Sequence, residues 1–433
     1  MRDQQWALLL ALLAALSSGC RKDKDEDPPV VRILMPTNGY SLTLPGTITV
    51  RVEVSDDHSV ESVVLTLTDA QGVPVAASVS AQVNAASAVL DLSLAVTNER
   101  IATGPYTLVA RASDGENNGR AFLDVLVNAA PLRLRSVFIL PRSSDPAPFT
   151  VTKIDSTGAL TAWTVLSELG GAAIDPDQLC TAGSASQPVL RWSFDPVQSA
   201  TLFPNQNPAG VNEPYFYGTA VDPSDGRLYF GTRDGSIRGF GPQGSQTFTG
   251  TTLSGSRSTM TTMVGDKLIS HVITPSTGER KLLTYAYSSG ALLAQFQSDI
   301  EAIGSFRRTD QWLLVMGNRN GDGAIVERNV DLGGTIEALA LPGDPIRKAV
   351  RLEGNTYILG LTTGLARFSQ PMNTLVTIAP GLVVDALAFD PTSGHVLAGA
   401  GDQLIEVDPG NGAVIATRTM PSAIGHILPL LNR

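Results

Sequence analysis

AVDPSDGRLYFGT, from Ala220 to Thr232, and AFDPTSGHVLAGA, from Ala388 to Ala400, are two copies of one pattern. Each reads as a short strand, a tight turn opened by Asp-Pro and closed by Gly, and a second strand of aliphatic and small residues. The Asp-Pro pairs begin at Asp222 and Asp390, 168 residues apart, or four units of 42. A period of about 40–45 residues is the length of one four-stranded antiparallel sheet in a repeat of such sheets.

The same turn chemistry can be followed along the chain. A first series of turns falls at Asp175-Pro176-Asp177, Asp222-Pro223, Gly265-Asp266, Asp310-Gln311, Gly354-Asn355 and Asp390-Pro391, with spacings of 47, 43 or 44, 44, 44 and 36. A second, interleaved series falls at Thr157-Gly158, Gly244-Ser245, Ser289-Gly290, Gly333-Gly334, Met372-Asn373 and Asn411-Gly412. Two series at one period predict inner and outer hairpins of a β-propeller. The 302 residues from Leu132 to Arg433 divide into seven blades, with six and eight as the alternative counts. At the ends, Ser136–Leu140, Phe149–Asp155 and Leu160–Leu166 supply three strands, and Ala423–Leu431 is a surplus fourth. That strand is expected to complete the first blade and close the ring, which removes sheet edges at the level of the ring.

Residues 30–128 alternate like half-buried strands. Seven strands are expected, over Val30–Met35, Thr47–Ser55, Val60–Asp69, Val73–Ser80, Ala88–Val96, Tyr106–Ser113 and Arg120–Val127, separated by turn residues such as Asn38-Gly39 and Asp114-Gly115. This length and strand number predict an immunoglobulin-like sandwich, with 129–131 as linker. Gly104-Pro105-Tyr106 and the following TLVARASDG resemble the penultimate strand of bacterial Ig-like and fibronectin-type modules, which implies a tyrosine corner at Tyr106. The fold class expected for the whole chain is all-β: an N-terminal Ig-like β-sandwich followed by a seven-bladed β-propeller. The Asp-Pro…Gly…strand pattern resembles YVTN-type, quinoprotein-like and WD-repeat-like bacterial propellers, at the level of fold. Trp-Asp repeats, paired kelch glycines and sialidase boxes are missing, and Trp163, Trp192 and Trp312 are too few for the tryptophan docking of quinone dehydrogenases.

The N-terminus reads as an export signal over 1–19, with Arg2 before the apolar run Ala7–Leu16. Ten apolar residues are too short to span a bilayer and suit a signal core. Leu16-Ser17-Ser18-Gly19-Cys20 resembles the lipobox of bacterial lipoproteins, which implies lipidation of Cys20 and a membrane anchor there. Leucine stands four residues before the cysteine rather than the usual three, and the alternative is a plain secretory signal. A charged tether over 20–29, with Arg21–Asp27 closed by two prolines, resembles the surface-export signal of Bacteroidetes lipoproteins. The expected location is the cell envelope, on the outer membrane, with exposure on the cell surface implied by the tether. Cys180 remains as a single buried thiol.

With 31 basic against 41 acidic residues, a net charge of −10 and no basic cluster, the chain is not expected to bind nucleic acid. His58, His271, His395 and His426 form no metal-binding or catalytic motif. Asp56, Asp57 and Asp114 are read as turn formers rather than calcium ligands. Gly317–Gly323 echoes the start of an EF-hand loop, but Asn329 stands where a bidentate Glu is needed, so it is read as a polar hairpin loop. No metal and no cofactor is expected. Loops between second and third strands share a face with the connections between blades, and ligand contacts are expected there: Tyr215, Tyr217, Arg233, Asp234, Asn318, Arg319 and Asp322. The leading expectation is a non-enzymatic, lipid-anchored scaffold that binds a protein or glycan. The alternatives are a lyase or hydrolase with carboxylates converging at the propeller mouth, and a periplasmic assembly scaffold.

Overall fold

The structure, a computed structural model, describes residues 27–222 and 226–433. The export signal, Cys20, most of the tether and Pro223–Asp225 of the first repeated hairpin lie outside the described residues. The described residues form strands, turns and loops with no helix. They divide into two compact units, the second running from Leu132 to Asn432.

The first unit has longer strands than expected. Thr47–Ser55 and Val60–Asp69 are halves of one strand, Gly46–Thr68, and the second half of Val79–Val96 is the expected Ala88–Val96. These two strands pair along most of their length, with bulges between Ser55 and Ser62. Ile48, Val50, Val52 and Val54 are buried before the bulges, and Val63, Leu65 and Leu67 after them. The inward face therefore changes parity at the bulge, as a slip by one residue demands. Asp56 and Asp57 sit in this bulge rather than in a turn. On the partner strand the corner falls at Asn84, in the left-handed region at φ 52, which asparagine tolerates better than most residues.

Beyond the corner, Gly104–Ser113 and Asn118–Asn128 extend the sheet, and Tyr40–Thr43 adds a parallel edge. Val30–Met35 pairs with the first half of the long strand yet also contacts Gly104–Ser113 and Asn118–Asn128, to which it is not hydrogen-bonded. The two layers thus enclose one core, the sandwich expected from the alternation. The Tyr106 hydroxyl donates to the Ala102 carbonyl at 3.2 Å, the bond of a tyrosine corner. The expected linker is partly structural. Ala130 is fully buried in the sandwich core, and the Ala129 amide donates to Thr103 at 3.0 Å.

The second unit contains, among the described residues, seven four-stranded antiparallel sheets. Six are sequential hairpin stacks, over 171–203, 216–251, 257–298, 301–341, 346–380 and 386–419, here the second to seventh blades. The first blade joins both ends of the unit: Ile424–Leu431 pairs with Leu134–Pro141, followed by Phe149–Asp155 and Leu160–Leu166. Each inner strand contacts the next, and Ile424–Leu431 contacts both Ala386–Asp390 and Gly171–Ile174, so the ring is closed. All the expected inner and outer turns within the described residues lie at the corresponding hairpins. The outer turn of the second blade, Asp195-Pro196, lacks the positive-φ residue that marks the others, a glycine in five and Asn373 in the sixth.

The repeated hairpins owe their composition to packing. Second strands lie within a sheet that is covered on both faces by neighbouring blades, so Gln178–Ala182 and Leu228–Thr232 are buried at every position. Cores therefore lie between blades: Leu314, Met316 and Ile325 of the fifth pack with Tyr357, Leu359 and Phe368 of the sixth. Phe138, Trp163, Trp192 and Phe194 join the first and second, with Phe138 and Trp163 centroids 4.9 Å apart. The glycine that both repeat copies carry near the end of the second strand permits close approach. A Cβ on Gly231 would lie 2.7 Å from the Ser258 Cβ of the next inner strand, and one on Gly399 would lie 2.7 Å from Ile424 of the closing strand. Turn aspartates are framework as well: Asp390 accepts the Thr392 amide at 2.9 Å, and Asp175 accepts those of Asp177 and Gln178.

Closure by Ile424–Leu431 predicts a sharp contrast. Leu430→Ala, at a side chain 2% exposed in the core between first and second blades, lowers stability by about 2–4 kcal/mol in chemical denaturation. Val414→Ala, on an outer strand and 57% exposed, stays within about 0.5 kcal/mol of the parent.

Candidate functional site

Most of the expected ligand residues serve the framework of the loop face. Tyr215 is 2% exposed, with its hydroxyl 3.1 Å from Gln206 and 3.2 Å from Asp234. Burial, with the Asp234 charge adding to it, pushes its phenol up to about 12. Tyr217 donates to the Pro214 carbonyl and accepts from Arg257, whose guanidinium lies 4.4 Å from the ring centroid. Arg233 reaches Asn207 at 3.2 Å and Glu213 at 3.5 Å, while Asp234 accepts from Thr232 and the Ser236 amide. Tyr215 is thus buried and Tyr217 half-buried, both held by neighbours within the loop face. The loop 203–217 is a structured joint between the second and third blades, pinned also by Asn207 to the Ala185 and Glu213 carbonyls. The fifth-blade residues lie apart from this joint. Arg319 pairs with Asp299 and Glu337, and Asp322 accepts the Gly343 amide.

Asn318 leads to a different place. Its amide clips the start of the sixth inner strand, accepting from the Ile346 amide at 2.8 Å and donating to the Ile346 carbonyl at 2.9 Å. Asn318 and that strand line a cavity of about 650 Å³ with Arg142, Arg347, Lys348, Asp385 and His426. Its residues come from the first, fifth, sixth and seventh blades and the connections between them, so it opens on the loop face at the mouth of the central channel.

Bulges on the inner strands build this mouth. The pairing register shifts between Ala302 and Gly304, between Ile346 and Lys348, and between Ile424 and His426, and each break places residues in the cavity wall. Bulges at rims commonly re-aim side chains in this way. Gly425 lets the neighbouring loop come close: a Cβ there would lie 2.5 Å from the Pro141 carbonyl oxygen and 2.7 Å from the Arg142 Cα. The Arg142 amide in turn donates to the Ala423 carbonyl at 3.2 Å.

The electrostatics are lopsided. Asp385 receives Arg142 and, at 2.7 Å, Arg347. Arg142 Nε is buried and has no hydrogen-bond partner. The Lys348 ammonium makes no hydrogen bond or ion pair among the described residues, while its backbone pairs in the strand with Gly360. Burial holds its ammonium below the usual lysine range, with Asp385 opposing and Arg347 adding to the effect. His426 is lowered to about 4 by burial and by Lys348, which keeps it neutral at physiological pH. Two guanidiniums and one ammonium therefore share one carboxylate, in a chain whose net charge is −10.

A second cavity of about 730 Å³ opens toward the opposite face and shares Ile303 with the first. Its wall is more apolar, with Met260, Phe306 and Ala349, and its rim carries Arg307, Arg308 and Arg351. Arg307 pairs with Asp310, Arg308 with Glu327, and Arg351 donates to the Gly354 carbonyl. Elsewhere, Cys180 is fully buried and its thiol is pushed up to about 12 by burial, which makes it unreactive. His395 bonds Glu406 at 2.6 Å, as a strand-surface pair. Asp56, Asp57 and His58 gather donor atoms within 4.8 Å on the sandwich surface, while Asp56 itself accepts the His58 and Ser59 amides.

Residues 29–125 match the family model of a bacterial Ig domain. No curated protein sequence matches the chain. Among solved structures it is similar to BamB from Moraxella catarrhalis, at 15% identity over 58% of this chain and 76% of that one, with a TM-score of 0.39. It is also similar to a quinoprotein alcohol dehydrogenase-like protein from Bacteroides thetaiotaomicron, at 14% identity over 93% and 99% of the two chains, with a TM-score of 0.46. A third is a protein described as a 6-phosphogluconolactonase from Bacteroides fragilis, at 13% identity over 67% and 96%, with a TM-score of 0.47.

The buried histidines predict how stability responds to acid. His271, 5% exposed and 3.1 Å from the Ser305 hydroxyl, is lowered from 6.5 to about 4 by burial, as is His426. The unfolded chain takes up these protons first, so their contribution is complete above pH 6.5, declines as pH falls toward 4 and is gone below it. His271→Gln removes its share of that slope, up to about 3 kcal/mol between neutral pH and pH 4, read from unfolding midpoints across the range.

Proposed function

We propose that this chain is an exported, lipid-anchored envelope protein whose propeller presents its loop face to a protein or glycan ligand, with the Ig-like domain as spacer. The cationic mouth carries this reading. Gathering three cations about one carboxylate in a cleft opposes folding, and charged clusters held in clefts against such a cost mark ligand sites. The cavity volume lies within the usual range for ligand pockets. Its carboxylate is committed to two arginines and its imidazole stays neutral, an arrangement suited to recognition rather than bond cleavage. Export and anchoring at Cys20 rest on the lipobox-like Leu16–Cys20 and on the charged run that follows it.

Two measurements test this. Cys20→Ser moves the protein from the membrane to the soluble fraction, and protease added to intact cells degrades the propeller; unchanged fractionation or a protected propeller overturns the anchor or its outward placement. A photocrosslinking residue in place of Ser144, at the mouth, captures the ligand in cells. The same residue in place of Asn373, in an outer hairpin turn on the opposite face, does not.

A further inference from the structure

The mouth has the chemistry of a particular ligand class. An anion entering it meets the unpartnered Lys348 ammonium and Arg142, whose buried Nε has no acceptor. The Lys348 ammonium lines the cavity with no acceptor of its own, and charge-assisted bonds to a carboxylate are about twice as strong as neutral ones. Asp385 takes one Nη of each guanidinium and the Val384 carbonyl accepts Arg347 Nε at 3.3 Å, so each arginine keeps an Nη group that no acceptor in the cavity wall engages. Beside these cations, Ile303 and Pro345 add apolar wall. The lining contains no Trp, Tyr or Phe, and so no face on which a sugar ring could stack.

We propose that the mouth captures an acidic peptide segment of a partner protein, one carboxylate seated between Lys348 and Arg142 and the adjoining aliphatic part of the peptide against Ile303 and Pro345. This rests on the loop-face reading above and narrows it from any protein or glycan to an anionic polypeptide. Asn318 is a positioning residue in it, because it holds Ile346 and through it Arg347 and Lys348. Asp385 plays two opposed parts: it orders the arginines and also repels the incoming charge.

The test is calorimetric titration of the full chain in detergent with a short polyglutamate peptide, with an oligogalacturonate of matched length and with polylysine. Polyglutamate binds with an affinity that falls as salt rises, and Lys348→Met weakens it roughly tenfold. Lys153→Met, the same charge change on a strand away from the mouth, leaves it unaltered. Asp385→Asn tightens binding several-fold, an effect that damage to the fold would not produce, and unfolding midpoints of each variant show that the ring is intact. Preferential binding of oligogalacturonate overturns the peptide class. Polyglutamate binding insensitive to Lys348 overturns the site. Absence of any anion binding overturns the proposal while leaving the loop-face reading to stand on crosslinking from Ser144, so the two fail separately.

Discussion

The pairing of Ile424–Leu431 with Leu134–Pro141 is the constraint on which the rest of the propeller depends. It joins residues almost 300 positions apart, from Leu134 to Leu431, and it turns a row of sheets into a ring. Without it the first blade would lack its inner strand, and the seventh and second would each lose a neighbour. Gly399 of the seventh blade is shaped to receive Ile424, whose amide donates to the Gly401 carbonyl at 2.7 Å. Leu430 enters the core between the first and second blades.

The same strand also builds the cationic mouth. Its bulge carries Gly425 and His426 to the cavity, its predecessor Ala423 holds the Arg142 backbone, and the bareness of Gly425 lets Arg142 approach. Ring closure and the cationic mouth are therefore coupled through one segment. A ligand that bridges Arg142 of the first blade and Lys348 of the sixth draws together blades on either side of the seventh. Ligand binding should then stabilise the ring as well as occupy the mouth, by mass action on the folded state.

Local chemistry made the ring legible in the sequence. Asp, Pro and Gly mark hairpin turns because each sets a backbone geometry within a few residues, and the period follows from counting them. The turn at Asp195-Pro196 escaped because it has neither a glycine nor an asparagine to take the positive φ that the other outer turns adopt. In the sandwich, alternation runs on either side of Asp56 and Asp57, and a bulge within a strand looks like a break between two. The mouth was less legible for a different reason. Arg142, Lys348, Asp385 and His426 are scattered over 285 residues and meet only after closure, so no spacing announces them. Arg347-Lys348 did offer a signal, as adjacent cations at the start of an inner strand, on the loop face, whereas the other such pair, Arg307-Arg308, falls at the far end of its inner strand. Tyr215 was expected among the ligand contacts from its place on the loop face, and its burial against Gln206 and Asp234 is set by tertiary neighbours that no local pattern announces.

The most direct measurement is native-state hydrogen exchange of the backbone amides in Ile424–Leu431, compared with those of the buried second strands such as Thr356–Leu361. If closure holds the ring together, the hydrogen-bonded amides of both strands exchange only through the same global opening and with the same free energy. Exchange of the closing strand at a distinctly lower free energy, with the other blades still protected, would contradict it: the ring would then stand without its closing strand, and the mouth would be a local assembly on an open array.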